Sequence, residues 1–277
     1  MKLFITGSTG FIGKNLIEFY KNEETFWHNR YMSVTEKLKY FQPDVIINCA
    51  AEIYDPSQMI TPNILWTHEC LEYVKAFPKT KMIQIGSSAE YGPMNVPSSE
   101  SDRCNPVDIY QATKGAATLL CQGYSRYYDL DISVARPYSV YGKYEKPHRL
   151  FPRLWRAFKY NQPMTLYHGV HDFIFIDDFV QGINILVQQK DIPRGDIINF
   201  GSGIQYSNLE VLHLFEKITK ETANIEIIST MDKPFENDIW VCDTTYAKMQ
   251  YGFEVSYTLE LGITKFLETA YYKQEKI

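Results

Sequence analysis

The chain has 277 residues, of which 45% are hydrophobic, 15% aromatic and 22% charged. This composition is typical of a globular protein and excludes an intrinsically disordered one, and a chain of this length buries roughly 75% of its unfolded surface on folding. The formal net charge of −5, without a long run of either sign, argues against nucleic acid or an anionic membrane as a partner.

Short apolar runs alternate with amphipathic stretches over the first 135 residues. The runs are almost wholly apolar, as expected for strands that helices cover on both faces. This alternation predicts right-handed βαβ crossovers and therefore an α/β fold with a doubly wound parallel sheet. The predicted strands lie at 3–5, 25–28, 45–48, 82–85 and 132–135, with helical patterns such as 11–20 between them.

The second half of the chain is richer in proline and aromatic residues, beginning after Arg136-Pro137. Asp177 and Asp178 are expected to cap a helix at its N-terminus. We predict a dinucleotide-binding domain over 1–136, with returning segments near 173–200, and a small substrate-binding lobe made mainly by 137–277. Further strands are predicted at 173–176 and 197–200, and further helices at 178–189, 208–219 and 259–272.

A glycine-rich turn follows the first predicted strand and opens the first helix. Gly7, Gly10 and Gly13 have the spacing G-x-x-G-x-x-G. The first glycine permits a tight turn, the second lets the backbone approach a pyrophosphate, and the third lets the helix pack close to the strand. The helix N-terminus directs unsatisfied N–H groups at the anion. The segment predicts a dinucleotide site, with further candidate contacts at Thr9, Phe11 and Ile12.

The second predicted strand bears on the choice between NAD and NADP. In NAD-binding sheets, an acidic residue at the end of this strand binds the ribose 2′-OH, but here the strand ends in His28-Asn29-Arg30. Arg30 could neutralise a 2′-phosphate, which favours NADP(H) over NAD(H). The alternative is that Arg30 is a solvated loop residue.

Tyr110 and Lys114 lie four residues apart in a helical pattern over 108–127, so they share one helix face. A nearby ammonium would lower the pKa of the phenol and make it an acid–base catalyst near neutral pH. Ser87 follows the predicted strand 82–85, at the sheet edge where ligands bind in open α/β folds. It is therefore placed to hydrogen-bond the substrate oxygen on which Tyr110 acts.

Together these motifs resemble those of the extended short-chain dehydrogenase/reductases, in the NAD-dependent epimerase/dehydratase family that acts on nucleotide sugars. The resemblance implies that Ser87, Tyr110 and Lys114 are the catalytic set and that Tyr110 and Lys114 also contact the cofactor. It further implies cofactor contacts from Ala50, Ala51 and Tyr138, and support of the active-site lysine by Asn63 through water. The segments that carry the likeness are 6–13, 48–51, 86–92, 110–114, 136–142, 173–178 and 199–203.

The resemblance also implies partners: a nucleotide-diphosphate sugar as substrate, and a second copy of the chain. The homodimer of this family pairs helices that correspond to residues near 60–76 and 108–127 in a four-helix bundle.

Departures from the family pattern narrow the expected chemistry. Sugar 4,6-dehydratases of this family have an Asp-Glu pair directly after the catalytic residue, where this chain has Ser88 and Ala89. The resemblance therefore favours a nucleotide 4-keto-6-deoxyhexose reductase of deoxysugar and polysaccharide biosynthesis. A nucleotide-sugar 4-epimerase is the alternative. A non-catalytic dinucleotide sensor or scaffold is the alternative of another class, disfavoured by the intact catalytic set.

Substrate contacts are expected from both polar and charged residues. Relatives often have Arg where this chain has His171, and Arg near 236–238, where this chain has none. Arg149 and Arg153 are expected to supply charge for a diphosphate, although Arg153 could equally lie on a solvated helix face. The remaining candidates are Ser87, Ser88 and Ser139.

The cysteine and histidine patterns predict neither disulfides nor a metal site. The five cysteines form no CxxC pair and leave one unpaired under any full pairing, so free thiols in a reducing compartment are expected. His168 and His171 lack the Cys or acidic partners of a zinc site. Without a membrane-spanning stretch or a leader pattern, a cytoplasmic protein is expected.

Overall fold

The computed structural model describes residues 1–27, 33–228 and 239–271. Its main sheet has six parallel strands in the order β2-β1-β3-β4-β5-β9, which confirms the doubly wound parallel sheet. The strands are β1 (Lys2–Thr6), β2 (Glu24–Trp27), β3 (Val45–Asn48), β4 (Lys81–Ile85), β5 (Ile132–Pro137), β6 (Ser139–Tyr141), β7 (Met164–Tyr167), β8 (Val170–Phe175), β9 (Asp196–Phe200), β10 (Gln205–Ser207) and β11 (Ile225–Ile228).

Helices cover both faces of this sheet. In β1, Leu3 and Ile5 belong to one buried apolar cluster and Phe4 to the other, because successive strand residues point to opposite faces. The helices are α1 (Phe11–Phe19), α2 (Val34–Phe41), α3 (Trp66–Ala76), α4 (Ile109–Tyr128), α5 (Leu150–Tyr160), α6 (Ile176–Gln188), α7 (Asn208–Thr219), α8 (Thr245–Tyr251) and α9 (Leu259–Tyr271).

The two faces are covered by different helices. The cluster that contains Phe4 includes residues of α2, α3 and α4. The cluster that contains Leu3 and Ile5 includes residues of α1, α5, α6, α7 and α9. Strand β9 joins the main sheet beside β5 although it comes late in the chain. The second half therefore contributes to the main core as well as to smaller sheets.

In the described part of the chain, two small sheets lie outside the main one. Strands β10, β8 and β6 form the first and β11 pairs with β7 in the second. Asp172 on β8 is fully buried and ties two later segments to this region. Its carboxylate accepts N–H groups of Ser202 at 2.7 Å, Gly203 at 2.9 Å and Cys242 at 3.0 Å. The segments that follow β9 are thereby fixed beside the carboxyl end of the main sheet.

One helix start differs from the sequence prediction. Asp177 and Asp178 lie in the first turn of α6, but the N-cap residue is Phe175, without a side-chain cap. The Asp178 carboxylate instead accepts the N–H groups of Ser256 at 2.9 Å and Tyr257 at 3.1 Å. It joins α6 to the segment before α9, a contact that the local pattern could not indicate.

The five cysteines all lie in the described ranges and are present as free thiols. Within those ranges, no helix combines the length and the apolar character needed to cross a bilayer.

Candidate active site

The glycine turn lies where the direction of the crossovers reverses, since β2 and β3 flank β1 on opposite sides. Ligands of open α/β sheets bind at such a point, beyond the carboxyl ends of the strands. Gly7 has φ +63°, and a Cβ there would lie 2.8 Å from the backbone of Cys49 and Ala50. A Cβ on Gly13 would lie 2.3 Å from the Gly7 carbonyl oxygen. Side chains are therefore excluded at Gly7 and Gly13, so the turn stays tight and α1 begins close against it.

The start of α1 has the donors that a pyrophosphate requires. Gly10 is the N-cap residue, and no side chain caps the helix there. The first N–H groups of a helix lack partners within it and favour an anion. Thr9 is exposed on the turn, whereas Phe11 and Ile12 are partly buried and pack against the core. The residues present fit the phosphates of a dinucleotide.

The other cofactor candidates have different surroundings. Ala50 is buried at the end of β3, and its N–H donates to the Thr6 hydroxyl at 3.0 Å, while Ala51 is partly exposed beside it. The Tyr138 side chain is buried, with its hydroxyl 3.5 Å from the Ser98 carbonyl. This side chain therefore lies in the protein interior. Arg30 lies outside the described residues.

Ser87 and Tyr110 are brought together as the sequence predicts. Ser87 directly precedes a 3₁₀ turn (Ser88–Tyr91) and caps it, its Oγ accepting the Ala89 N–H at 3.2 Å. Tyr110 lies in the first turn of α4, and its phenol lies close enough to Ser87 for the serine hydroxyl to act on it. Burial raises the pKa of Tyr110, and the Ser87 hydroxyl opposes this effect. Two hydroxyls therefore meet beyond the end of β4.

Lys114 lies one turn along α4 and is buried. Its Nζ donates to the Ile85 carbonyl at the end of β4. Burial lowers the pKa of this ammonium, and the nearby Glu90 carboxylate opposes that effect. The largest charge effects on the Tyr110 phenol come from Glu90, Arg149 and Asp108 rather than from Lys114.

Asn63 lies in a π-helical turn (Thr61–Leu65) before α3, where it hydrogen-bonds Thr113, the residue that precedes Lys114. Its Nδ2 donates to the Thr113 hydroxyl at 2.9 Å and to the Glu52 carbonyl at 3.0 Å. Asn63 is buried, and its Oδ1 accepts the Glu52 N–H at 2.8 Å. These bonds join the loop after β3 to the catalytic face of α4 directly, without an intervening molecule.

The substrate candidates fall into two groups. Arg149 is half-exposed and acts electrostatically on both Tyr110 and His171. Burial lowers the pKa of His171 to about 4, and its Nδ1 lies 3.2 Å from the Ser139 hydroxyl. In contrast, Arg153 donates to the Thr165 carbonyl at 2.7 Å. Arg149 is therefore the arginine that faces the Tyr110 region.

Ser88 and two acidic residues complete the surroundings. Ser88 is buried in the turn next to Ser87. Sequence reasoning missed Glu90, which is fully buried beside Ser87, and Glu145, whose pKa burial raises to about 7. The family motif contains Glu90, but nothing in its spacing indicates which side chains it meets. Glu145 contacts Arg149, with Oε1 3.4 Å from Nε.

Comparisons with known proteins show the family of the chain. The family model described as "NAD dependent epimerase/dehydratase family" matches residues 3–201. Protein CapI of Staphylococcus aureus is 26% identical over 99% of this chain and 100% of its own length. A UDP-glucuronate 4-epimerase of Thermodesulfobacterium geofontis is 25% identical over 94% of this chain and 93% of its own length.

Among solved structures, a dTDP-glucose 4,6-dehydratase from Bacillus anthracis in complex with NAD superposes with a TM-score of 0.88. It is 21% identical, and the match covers 99% of this chain and 98% of that one. At this identity the likeness shows the fold. The family model covers well over half of the chain, so the chain belongs to the NAD dependent epimerase/dehydratase family.

Proposed function

We propose that this protein is an NAD(P)-dependent enzyme that transfers hydride at C4 of a nucleotide-activated sugar, as a nucleotide 4-keto-6-deoxyhexose reductase. The observation that carries the proposal is the proximity of Ser87 and Tyr110 at the sheet edge that also holds the glycine turn. NADP(H) is the proposed cofactor and NAD(H) its alternative. The preference depends on Arg30, which lies outside the described residues, and so stays a prediction.

The side chains supply the proton and the orientation that such a reaction needs. A bound nicotinamide supplies the hydride at C4 of the sugar. Tyr110 donates its hydroxyl proton to the sugar O4 as negative charge develops there, and Ser87 donates a hydrogen bond to the same oxygen. The ammonium of Lys114 lies one helical turn from Tyr110 and is proposed to favour the phenolate left after the transfer, with Arg149 as the cation of larger effect on Tyr110.

Water elimination across C5 and C6 is disfavoured by the loop after Ser87. Its next two residues are Ser88 and Ala89, neither of which is a general acid or base at neutral pH. The carboxylate of this loop, Glu90, is held by Arg136 at 2.8 Å and cannot turn towards a substrate without leaving that partner unpaired. A dehydratase is therefore the least supported of the family's activities.

A 4-epimerase is the second candidate, favoured by the similarity to a UDP-glucuronate 4-epimerase over 94% of the chain. In that reaction Tyr110 would first accept the O4 proton and later return it, so the same residues serve in both directions. The two candidates differ in whether a reduced cofactor is consumed.

An assay with two substrate classes separates these candidates. We expect the purified chain to oxidise NADPH when given a nucleotide 4-keto-6-deoxyhexose, with one product formed for each NADPH consumed. Interconversion of C4 epimers without net cofactor consumption would support the epimerase instead. If a broad panel of nucleotide sugars gives neither result although NADP(H) or NAD(H) binds, the sensor or scaffold interpretation replaces both.

Arg149 and His171 are proposed to contact the substrate in different charge states. We expect Arg149→Gln to raise the KM for the nucleotide sugar about tenfold, because a charge-assisted hydrogen bond contributes roughly 1.5–3 kcal/mol. With its pKa lowered to about 4, His171 is uncharged at neutral pH and gains a proton only under acid conditions. His171→Gln should therefore leave the pH dependence of KM unchanged between about pH 6 and 8.

Measurements of KM across that pH range check both expectations. An unchanged KM in Arg149→Gln would remove Arg149 from the substrate site. A KM that falls in the wild type below about pH 6.5, and stops doing so in His171→Gln, would show that His171 binds the substrate as a cation.

We also propose a homodimer that pairs α3 and α4 of each copy. Large apolar side chains lie exposed on or next to these helices, which supports the proposal because such patches mark protein interfaces. They are Ile60, Leu65, Ile109 and Leu119.

A further inference from the structure

Glu90 has a fully buried side chain within the turn that Ser87 caps. Its Oε1 accepts the Ser87 N–H at 2.8 Å. Its Oε2 accepts the Thr118 hydroxyl at 2.7 Å and the Arg136 Nε at 2.9 Å. Every partner is a donor, which only an ionised carboxylate can satisfy in full.

This carboxylate connects three elements that position the candidate active site. Ser87 follows β4, Arg136 lies near the end of β5, and Thr118 lies one helical turn after Lys114 on α4. A Cβ on Gly86 would lie 2.7 Å from Glu90 Oε1, so the loop backbone is packed directly against the carboxylate. Movement of Glu90 would therefore displace the backbone that carries Ser87.

The ion pair is fully enclosed by the protein. The side chains of Glu90 and Arg136 are 0% and 1% exposed, and Arg136 Nη2 lies 2.8 Å from Glu90 Oε2. Removing one partner of such a pair leaves a buried charge unpaired. The Glu90 carboxylate is thus held next to Ser87 by one cation, Arg136, and by two neutral donors, the Ser87 N–H and the Thr118 hydroxyl.

We propose that Glu90 is a positioning residue, which fixes Ser87 against the catalytic face of α4 and places a negative charge behind the reacting phenol. The inference rests on the proposed function, because it assigns Glu90 a part in the proton transfer of Tyr110.

The electrostatic part of this role has a definite sign. The Glu90 charge raises the pKa of both Tyr110 and Lys114. The other groups that act on Tyr110 are Arg149, Asp108 and the Ser87 hydroxyl, and those that act on Lys114 are two thiols, Cys49 and Cys121. Neutralising Glu90 makes the phenolate easier to form and the ammonium easier to lose, so both pKa values fall.

Glu90→Gln tests the proposal because it removes the charge and keeps nearly the same shape. We expect kcat to fall at least tenfold, with the KM for the dinucleotide changed less than twofold. We expect the pH profile of kcat to move down by about one unit or more, since a unit charge within roughly 12 Å shifts a pKa by at least about one unit at an effective dielectric constant of about 20. A merely structural role would lower kcat without moving the profile, and that result overturns the proposal.

Thr118→Val is the matched control, since it removes a donor to the same carboxylate oxygen without changing charge. Its pH profile should coincide with that of the wild type. A shift equal to that of Glu90→Gln would show that the shift does not come from the charge of Glu90. If Glu90→Gln fails to fold, the double variant that combines Glu90→Gln with Arg136→Met replaces it, because it removes both charges of the ion pair. The downward shift should persist there, because Glu90 and not Arg136 is among the largest charge effects on Tyr110.

A substrate-free measurement separates this inference from the proposed function. The ultraviolet absorbance of the phenolate, taken as the difference between each protein and its Tyr110→Phe counterpart, gives the pKa of Tyr110 without turnover. We expect a lower pKa in the Glu90→Gln background, and an equal one overturns the inference. The wild-type protein could be inactive on nucleotide sugars while the pKa of Tyr110 is still lower in the Glu90→Gln background. That result would overturn the proposed function and leave this inference standing.

Discussion

Tyr110→Phe is expected to lower turnover by about a thousandfold and to leave cofactor binding almost intact. The substitution removes one hydroxyl and keeps the ring, so the packing at the start of α4 is preserved. Positioned general acids contribute roughly 10²–10⁴-fold, and here the same hydroxyl also lies beside Ser87. Pre-steady-state absorbance of the reduced nicotinamide measures the hydride step, and a direct titration measures dinucleotide binding.

Tyr124→Phe is the control on the same helix. The Tyr124 hydroxyl bonds Glu72 at 2.6 Å on the α3–α4 surface, away from the Ser87–Tyr110 pair. We expect its turnover to stay within about twofold of the wild type, since the loss of a partly exposed hydrogen bond has little effect at a distant site. Turnover within about tenfold of the wild type in Tyr110→Phe would exclude Tyr110 as the proton donor, given the contribution expected of such a group.

The parts of the fold that were predictable from the sequence are those with local causes. The apolar runs at 3–5, 45–48 and 82–85 appear within β1, β3 and β4, because strands buried on both faces need little else to be recognised. The glycine turn was predictable because its spacing reflects backbone contacts within one βα unit. The helical period likewise placed Lys114 one turn after Tyr110.

The parts that were not predictable depend on contacts between distant segments. The sequence pattern predicted that Lys114 lies near Tyr110. It could not predict that Lys114 Nζ donates to the Ile85 carbonyl, because Ile85 lies 29 residues earlier in the chain. Asp178 was expected to cap its own helix and instead binds backbone 78 and 79 residues later. Glu90 and Arg136 are 46 residues apart, and their ion pair exists only because β4 and β5 are adjacent in the sheet.

The second large effect is expected at the glycine turn, from Gly13→Ala. The new Cβ would lie 2.3 Å from the Gly7 carbonyl oxygen and 2.8 Å from the Ser8 Cα, and both are backbone atoms that cannot rotate away. The start of α1 must then move away from the turn, at a stability cost of about 1–3 kcal/mol. Because the phosphates are proposed to bind the N–H groups at this junction, we expect dinucleotide affinity to fall at least a hundredfold.

Gly123→Ala provides the comparison that separates loss of the site from a general effect of adding a methyl group. Gly123 is exposed on α4, and apart from its chain neighbours and the backbone of that helix no atom lies within 4 Å of its added Cβ. Alanine there should stabilise the protein by about 0.5–1 kcal/mol and leave dinucleotide affinity unchanged. Thermal melting without ligand measures the stability change of both variants, and calorimetric titration measures their affinity. A Gly13→Ala protein that is destabilised yet binds the dinucleotide normally would show that the phosphates do not rest on this turn, because its backbone cannot shift and still present the same donors.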